Sequence, residues 1–314
     1  MCDPFGGIGV LGAYLKHRGY AVTSGDLLTF AHYFQIARLE LSRSPNLHKL
    51  RIELGVGSVH ELFSQMSLPR HTGGWLVDNY AVRRKFFTLA NAGMIQACWD
   101  AIAQWNRNGW LTRRQRAFMY ASLVASMDRV ANTAGTYYAH LKRWDRKAVT
   151  QFQLRPVIPT QGSQRCKSVL GNAEDIVSQG SFDVVYLDPP YTARPYNRYY
   201  HLPESIVVGR TGPVLGAAGL PATGVGVDSD FSRARTALRA TEKLLAKVDC
   251  RLLVFHYAHG GLVPLRTLRS LLGELGKVQE HRLNVRAYAT SRSDHRTAQV
   301  LLNVRVDHSR RLRR

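Results

Sequence analysis

Two short segments of this 314-residue chain hold residues whose types and spacing could do chemistry. The first is glycine-rich and reads Asp3-Pro4-Phe5-Gly6-Gly7-Ile8-Gly9. Glycines that open a helix let the backbone approach a ligand closely, and an acidic residue after the next strand can bind ribose hydroxyls. Asp26 comes 17 residues after Gly9, close to the spacing of about 20 that is typical of nucleotide-type cofactor sites. Taken alone, helix packing by the glycines and turn capping by Asp26 are the simpler interpretation.

The second segment, Asp188-Pro189-Pro190-Tyr191, follows the apolar run 184–187 and is more specific. The two prolines fix φ and remove two N–H donors, so the turn holds the Asp188 carboxylate and the Pro189 carbonyl in fixed geometry. Two neighbouring acceptors suit an exocyclic NH₂ group, which offers two donors. The Tyr191 ring offers a stacking face for a base. The alternative without function is a proline-rich turn capped by an aspartate.

The elements that must position these residues alternate between helix and strand. The pattern predicts a helix over 10–18 and a strand over 20–24, and the apolar run 182–187 predicts a strand that leads into Asp188. Open α/β sheets bind ligands at the carboxyl ends of such strands. Only Met1 and Cys2 precede Asp3, so the sequence predicts that the chain opens on a turn and that the first central strand is truncated.

The middle of the chain has a different pattern. Residues 78–141 contain no proline and show helical periodicity, whereas 45–75 contain several chain breakers and are predicted to be irregular. Residues 209–226 are rich in glycine and proline and are predicted to form a mobile loop. The predicted organisation is a cofactor-binding start over 1–44, a mostly helical insertion over 45–150, the remainder of the first domain with the Asp188 segment over 151–308, and a basic tail over 309–314.

Charge restricts the classes of partner. Lys plus Arg is 43 and Asp plus Glu is 22, a net charge of +21. Nucleic acid is the first partner that this charge predicts, and an acidic membrane surface is the second. A basic composition without function is the remaining alternative. The basic clusters that include Arg83, Arg84, Arg113 and Arg114 fit phosphate binding collectively, although each alone is more typical of a solvated helix face.

Cellular location and metal content were predicted from three further features. No apolar run approaches the roughly 18 residues that span a bilayer, and the first residues have no secretory pattern. The four cysteines are far apart in sequence, which predicts buried thiols in a reducing compartment, hence a cytoplasmic protein. The twelve histidines show no HxxxH or HExxH spacing, so no metal is predicted.

Together the two segments resemble the S-adenosylmethionine-dependent DNA adenine methylase family, which includes the Dam-like enzymes. Its first motif has the form D-P-F-x-G-x-G, which residues 3–9 match, and its catalytic motif is DPPY, which residues 188–191 match. The runs 192–201 and 131–142 are also similar to family segments. The resemblance implies a Rossmann-like class I methyltransferase sheet with helices on both faces, plus the helical insertion as the candidate DNA-recognition part.

The resemblance also implies roles for particular residues. Those that would line the S-adenosylmethionine pocket are Asp3, Pro4, Phe5, Gly6, Gly7, Gly9, Asp26, Asn172 and Ala173. Those that would contact a flipped adenine are Asp188, Pro189, Pro190 and Tyr191. Arg194, Tyr196 and Asn197 follow the catalytic turn and would contact nucleic acid together with the four arginines named above.

The function that this resemblance implies is transfer of a methyl group to adenine N6 in DNA, within a restriction–modification system or a mobile element. A restriction endonuclease of the same system would then be a partner. RNA or a protein amide is an alternative acceptor, although Asp188 stands where Asn is common for glutamine methylation. A catalytically inactive DNA-binding remnant, which keeps the basic surface without the cofactor, is the alternative from a different class.

Overall fold

The computed structural model describes residues 1–69, 73–193, 195–286, 296–307 and 309. The chain divides into two compact units. The sheet unit comprises 1–27, 162–196 and 227–314, and the helical unit comprises 28–161 and 197–226. The chain therefore leaves the sheet unit twice, once after β2 and once after the Asp188 turn.

The sheet unit is built on a seven-stranded mixed sheet. The strands of the described chain are β1 (Cys2–Asp3), β2 (Thr23–Asp26), β3 (Lys167–Leu170), β4 (Phe182–Leu187), β5 (Val214–Leu215), β6 (Leu220–Pro221), β7 (Cys250–Ala258), β8 (Val278–Arg286) and β9 (Arg296–Arg305). The seven strands run in the order β3-β2-β1-β4-β7-β9-β8. The first five are parallel, and β9 pairs antiparallel with both β7 and β8. The predicted α/β class is confirmed, and β8 and β9 add an antiparallel pair at one edge of the sheet.

Helices flank this sheet and build the second unit. They are α1 (Val10–His17), α2 (Thr29–Gln35), α3 (His48–Glu53), α4 (Val59–Met66), α5 (Trp75–Val77), α6 (Leu89–Arg107), α7 (Arg113–Asp128), α8 (Ala173–Val177), α9 (Tyr196–Tyr199), α10 (His201–Val208), α11 (Ala237–Lys247) and α12 (Leu265–Leu275). In the sheet unit, α8, α11 and α12 bury Ile176, Leu244 and Leu268 in one core with Leu187 and Phe255 of the sheet. Apolar burial of this kind is the main favourable term that holds helices onto a sheet.

The start of the chain differs from the prediction of an opening turn. Cys2 and Asp3 form β1, a strand of two residues that pairs with Thr23 and Ser24 of β2. On its other side Cys2 pairs with Val185 of β4. A strand this short gains its order from neighbours on both sides, which a one-dimensional pattern does not reveal. The first central strand is thus short but present.

The segment 45–75, predicted to be irregular, contains α3 and α4. The Ser58 hydroxyl accepts a hydrogen bond from the Glu61 N–H at 3.0 Å, and the Glu61 carboxylate accepts one from the Gly57 N–H at 2.9 Å. The S-x-x-E spacing of Ser58 and Glu61 is the sequence signature of a capped helix start. The prediction was wrong because it relied on the chain breakers and did not use this signal.

Residues 209–226, predicted as a mobile loop, instead contain the two-stranded hairpin β5–β6. Side chains of the helical unit bind its backbone. The Tyr80 hydroxyl donates to the Gly219 carbonyl at 2.6 Å, and the Arg84 guanidinium donates to the Gly216 carbonyl at 2.7 and 3.0 Å. This hairpin therefore belongs to the helical unit.

The helical unit differs in extent from the predicted insertion over 45–150. It begins at Leu28, ends at Gln161 and includes 197–226. Phe30 and Phe34 of α2 are buried in the helical core with Leu202 and Ile206 of α10. The Glu204 carboxylate accepts hydrogen bonds from the first two N–H groups of α2, at 2.9 Å each. These contacts, between residues about 175 positions apart, assign α2 and α10 to one unit.

The fully buried Asn132 side chain connects three segments of the helical unit by hydrogen bonds. Its side-chain amide donates to the Lys85 and Leu141 carbonyls at 2.9 and 3.0 Å and accepts from the Asp145 N–H at 2.9 Å. We expect Asn132→Ala to lower the free energy of unfolding by about 3 kcal/mol, because three backbone groups lose their hydrogen bonds to a fully buried side chain. Urea unfolding followed by tryptophan fluorescence measures this, since all five tryptophans lie in this unit.

The control for that variant is Asn108→Ala. Asn108 is exposed at the end of α6, and its replacement should change the free energy by less than about 0.5 kcal/mol. Equal losses in the two variants would contradict the role assigned to Asn132.

Among the helices that the structure describes, none has the length and apolarity that a membrane crossing requires. All four cysteines are free thiols, with Cys2, Cys98 and Cys250 buried and Cys166 partly exposed. Burial raises the pKa of the Cys2 thiol to about 12, with Asp3 adding to the effect. Cys2 therefore remains protonated and packs as a small apolar side chain.

Candidate active site

The candidate site lies where the order of the parallel strands reverses. β1 lies between β2 and β4, and connections run outward from this point in both directions. Three carboxylates follow the carboxyl ends of these strands: Asp3 ends β1, Asp26 ends β2, and Asp188 directly follows β4. Crevices at such a reversal are the usual ligand sites of open α/β sheets. The two segments that the sequence singled out thus meet at one edge of the sheet.

The glycine-rich segment forms a tight loop that leads into α1. The Gly6 N–H donates to the Gly25 carbonyl at 2.8 Å, and the Gly7 N–H donates to the Asp26 carboxylate at 3.1 Å. Gly7 and Gly9 have φ values of +51° and +77°, in the left-handed region that favours glycine. Gly9 caps α1 in this conformation. Asp26 therefore supports the loop as well as facing the same edge.

Asp3 is the most perturbed of the three carboxylates. Its side chain is almost wholly buried, and within the described part of the chain its Oδ1 atom has no hydrogen-bond partner. Burial is the main cause that raises the Asp3 pKa to about 7; the neighbouring Asp188 and Asp26 carboxylates contribute in the same direction, and the hydrogen bond from the Phe5 N–H opposes the shift. A nearby positive charge would therefore strongly stabilise the ionised form of Asp3.

These residues fit S-adenosylmethionine. The cofactor has a sulfonium, an ammonium group and a ribose, so it offers positive charge and several donors to a cluster of carboxylates. The buried acceptor at Asp3 and the acid at the end of β2 match those groups, and Gly7 leaves open space beside the loop backbone for close approach. The half-buried Phe5 ring packs edge-on against the Phe231 ring, with 5.1 Å between the ring centroids, and this contact stabilises the loop.

The turn after β4 is held by contacts within the sheet unit. Pro189 is buried, and the Leu262 N–H donates to the Tyr191 carbonyl at 3.0 Å. The Tyr191 ring packs edge-on against Tyr257 at 5.9 Å. The Asp188 side chain remains 38% exposed, so its carboxylate is accessible to a substrate.

Three polar side chains near Asp188 were missed by the sequence analysis. His256 Nδ1 lies 3.3 Å from Asp188 Oδ1 and 2.9 Å from the Tyr186 hydroxyl, and His256 Nε2 lies 2.7 Å from Gln299 Oε1. The hydrogen bond to Asp188 raises the His256 pKa, and burial opposes that shift. The apolar run 252–255 directly before His256 was the available signal in the sequence. Gln299 had none, because its proximity depends on antiparallel pairing of β7 and β9.

The segment after β3 reaches the same edge of the sheet. The Gly171 N–H donates to the Asp26 carbonyl at 3.0 Å, and Asn172 begins α8 with an exposed side chain. Asn172 therefore directly follows a residue that is hydrogen-bonded to Asp26. The Ala173 methyl group is buried in the core, so only its backbone could face a cofactor.

A sequence profile decides the family. The profile of D12 class N6 adenine-specific DNA methyltransferases matches residues 1–234. The chain belongs to this D12 family. The resemblance inferred from the two motifs is confirmed.

Curated relatives of this D12 family member are modification methylases. It is 27% identical to "Type II methyltransferase M.FokI" of Planomicrobium okeanokoites over 94% of this chain and 46% of that protein. It is 26% identical to "Modification methylase StsI" of Streptococcus sanguinis over 87% of this chain and 42% of that protein. It is 25% identical to "Type II methyltransferase M.NlaIII" of Neisseria lactamica over 94% of this chain and 86% of that protein. The chain thus spans less than half of the first two relatives and most of the third. No solved structure matches it.

Four of the residues predicted to bind nucleic acid lie in the helical unit of this D12 family member, in two segments of the sequence: Arg83 and Arg84, and Arg113 and Arg114. Arg83 is exposed, whereas Arg84 is partly buried and donates to backbone carbonyls of the hairpin. Arg113 and Arg114 begin α7, and both bind the buried Glu40 carboxylate, at 3.3 and 3.1 Å. Each of these two remains more than half exposed, so a face of each guanidinium is available to a phosphate.

The residues after the Asp188 turn differ from one another in exposure. Tyr196 is 46% exposed and Asn197 is partly buried. The neighbouring His201 is buried, with Nε2 at 2.9 Å from the Tyr137 carbonyl, and burial lowers its pKa to about 4. His201 is therefore a neutral structural histidine. Arg194 lies outside the described residues.

Proposed function

We propose that this chain transfers a methyl group from S-adenosylmethionine to N6 of an adenine in DNA. The observation that carries the proposal is the arrangement at one sheet edge: the Asp3 and Asp26 carboxylates with the glycine loop, beside the rigid Asp188 turn. Membership of the D12 family and the names of the curated relatives support the reaction class.

The cofactor-side residues act by charge and shape. When bound, S-adenosylmethionine supplies an electrophilic methyl group. In the proposed arrangement Asp26 accepts from ribose hydroxyls, and the buried Asp3 carboxylate pairs with cofactor positive charge. Ionised Asp3 is then compensated, which it is not in the free protein. Asn172, at the edge beyond Asp26, is proposed to contact the cofactor's adenine.

The substrate-side residues act by orientation. An adenine N6 lone pair is delocalised into the ring and is a poor nucleophile. In the proposed mechanism the Asp188 carboxylate accepts a hydrogen bond from one N6 hydrogen and the Pro189 carbonyl accepts one from the other, which localises the lone pair on nitrogen. Tyr191 stacks on the base. Placement in line with the methyl group then provides most of the rate enhancement.

The target must leave the duplex to reach this turn, so the mechanism requires base flipping. The net charge of +21 fits binding to the phosphate backbone. Exposed Arg83 and the half-exposed Arg113 and Arg114 are proposed phosphate contacts, which position DNA without specifying its sequence. We further propose that a restriction endonuclease of the same system is a partner and that the protein is cytoplasmic.

The experiment that tests the proposal is incubation of the purified protein with tritiated S-adenosylmethionine and unmethylated genomic DNA, followed by digestion and identification of the labelled nucleoside. A parallel incubation with total RNA tests the alternative acceptor. Labelled N6-methyladenine from DNA is the expected result. Label in RNA alone would replace the proposed substrate. Absence of label together with DNA binding and no cofactor binding by calorimetry would favour the inactive DNA-binding remnant.

A further inference from the structure

A chain of polar side chains crosses three neighbouring strands next to the catalytic turn. It runs from Asp188 after β4 to His256 on β7 and on to Gln299 on β9. Asp188 Oδ1 lies 3.3 Å from His256 Nδ1, and His256 Nε2 lies 2.7 Å from Gln299 Oε1. The His256 side chain is 17% exposed and the Asp188 side chain 38% exposed. The imidazole therefore lies behind Asp188, with less contact with water than the carboxylate it faces.

The imidazole can make this contact in one protonation state. With the Gln299 carbonyl oxygen at Nε2, that nitrogen carries a proton and donates it. Neutral His256 then has an unprotonated Nδ1, which accepts from the Tyr186 hydroxyl at 2.9 Å. Protonated His256 has a second N–H, at Nδ1, which donates to Asp188 Oδ1. Nδ1 thus has two alternative partners, and the charge on the ring selects between them.

We propose that His256 is a positioning residue for the methyl transfer: anchored by Gln299, it holds one Asp188 oxygen so that the other faces the substrate amino group. The inference rests on the proposed function, because it assigns Asp188 as the acceptor of an amino hydrogen. It adds a residue and a protonation state that the DPPY motif does not contain. A carboxylate fixed at one oxygen loses rotational freedom before the substrate arrives, which is a recognised source of rate enhancement.

The electrostatic surroundings set the direction of the pH dependence. The hydroxyl of Tyr186 on β4 and the carboxylate of Asp188 directly after β4 face the imidazole, and so does the uncharged Gln299 on β9. Asp3 on β1 acts on Asp188 and Tyr186. Asp188 and Gln299 both raise the His256 pKa above 6.5. The contact with Asp188 is therefore complete below this raised pKa and is lost as the pH rises through it, so kcat should fall over the same interval.

The first test observes the pair without cofactor or DNA. The imidazole signals of histidine-labelled protein are titrated by NMR, and the His256 signal is identified by its loss in His256→Asn. We expect a pKa above the ordinary 6.5 in the wild type and a lower value in Asp188→Asn and in Gln299→Leu. An unchanged pKa in Asp188→Asn would overturn the pairing, whatever the substrate of the enzyme is.

The second test separates positioning from folding. His256→Leu should lower kcat by about 10–100-fold, with the KM values for cofactor and DNA within about twofold of wild type. His256→Asn retains an N–H donor near the Nδ1 position but does not titrate, so it should recover most of kcat. Because Asp3 also titrates near pH 7, the wild-type profile is compared with that of His256→Asn. The fall in kcat with rising pH should be present in the former and absent from the latter.

The control is His281→Leu, an exposed histidine on β8 of the same sheet, which should leave kcat and its pH profile unchanged. Full kcat in His256→Leu, or an identical pH profile in His256→Asn and wild type, would overturn the proposal. If His256→Leu fails to fold, Gln299→Leu tests the same anchor, and it should show a smaller loss of kcat in the same direction. Failure of the enzyme to methylate adenine would refute the proposed function but leave the titration result standing.

Discussion

Asp188→Ala is expected to reduce methyl transfer by about 10³-fold or to the detection limit, while the affinity for DNA changes by less than about threefold. The alanine removes the carboxylate proposed to accept one N6 hydrogen, so the nitrogen lone pair stays delocalised in the ring. Affinity should persist because binding to DNA depends chiefly on phosphate contacts, and Asp188 is an anion that makes none. Single-turnover transfer from tritiated S-adenosylmethionine gives the rate, and fluorescence anisotropy gives the affinity.

A matched control for this variant is Asp183→Ala. Asp183 lies on β4, the strand that precedes Asp188, is 79% exposed and forms a surface ion pair with Arg251 at 3.4 Å. Exposed ion pairs contribute little to stability, so this variant should retain wild-type rate and affinity. If Asp188→Ala kept the wild-type rate, the proposed role of the DPPY turn would be refuted.

Asp3→Asn is expected to have two opposite effects: it should make the free protein more stable, and it should weaken the binding of S-adenosylmethionine. In the wild type, folding raises the Asp3 pKa from 3.8 to about 7. The folded state therefore binds more protons than the unfolded state between these values, and stability falls as the pH rises from about 4 to about 7. The asparagine is not ionised, so it avoids this loss.

The expected gain in Tm is therefore small near pH 4, increases up to about pH 7 and is constant above that, where it should reach about 3–8 °C. Cofactor affinity should fall by about 10–100-fold, because a hydrogen bond between charged groups is lost. Thermal unfolding at several pH values measures the first effect, and calorimetry measures the second. Asp183→Asn, on the exposed end of β4, is the control and should show neither. A lower Tm in Asp3→Asn at pH 8 would contradict the assigned cause of the pKa shift.

Local patterns were sufficient for most elements of the sheet unit. The apolar run 182–187 predicted β4, and observed β4 is Phe182–Leu187. The helix predicted over 10–18 is observed as Val10–His17, and Gly19 follows in the left-handed conformation that ends such helices. These elements are determined by neighbouring residues, so the amino-acid sequence alone is enough to predict them. By contrast, β1 has two residues and owes its order to pairing with β2 and β4.

The motifs proposed to act in catalysis and cofactor binding could be found by sequence, because each is a short continuous segment with a fixed backbone requirement. The left-handed φ of Gly7 and Gly9 and the fixed φ of two prolines leave a visible mark on residue type. His256 and Gln299 left no such mark. They reach Asp188 through strand pairing across 68 and 111 positions of sequence, and many residue types fit a strand at those places.

The sequence by itself determined the α/β class, the family and the two segments that carry the proposed chemistry, because these depend on local backbone geometry and residue type. Only the tertiary structure decided which distant residues share a unit. It placed α2 and the hairpin with the helical core, since the Glu204 carboxylate and the Tyr80 hydroxyl satisfy backbone groups far away in sequence. It also buried Asp3 beside Asp188 and set His256 behind that carboxylate. Burial and charge proximity arise from packing in three dimensions, and the pKa shifts follow from them.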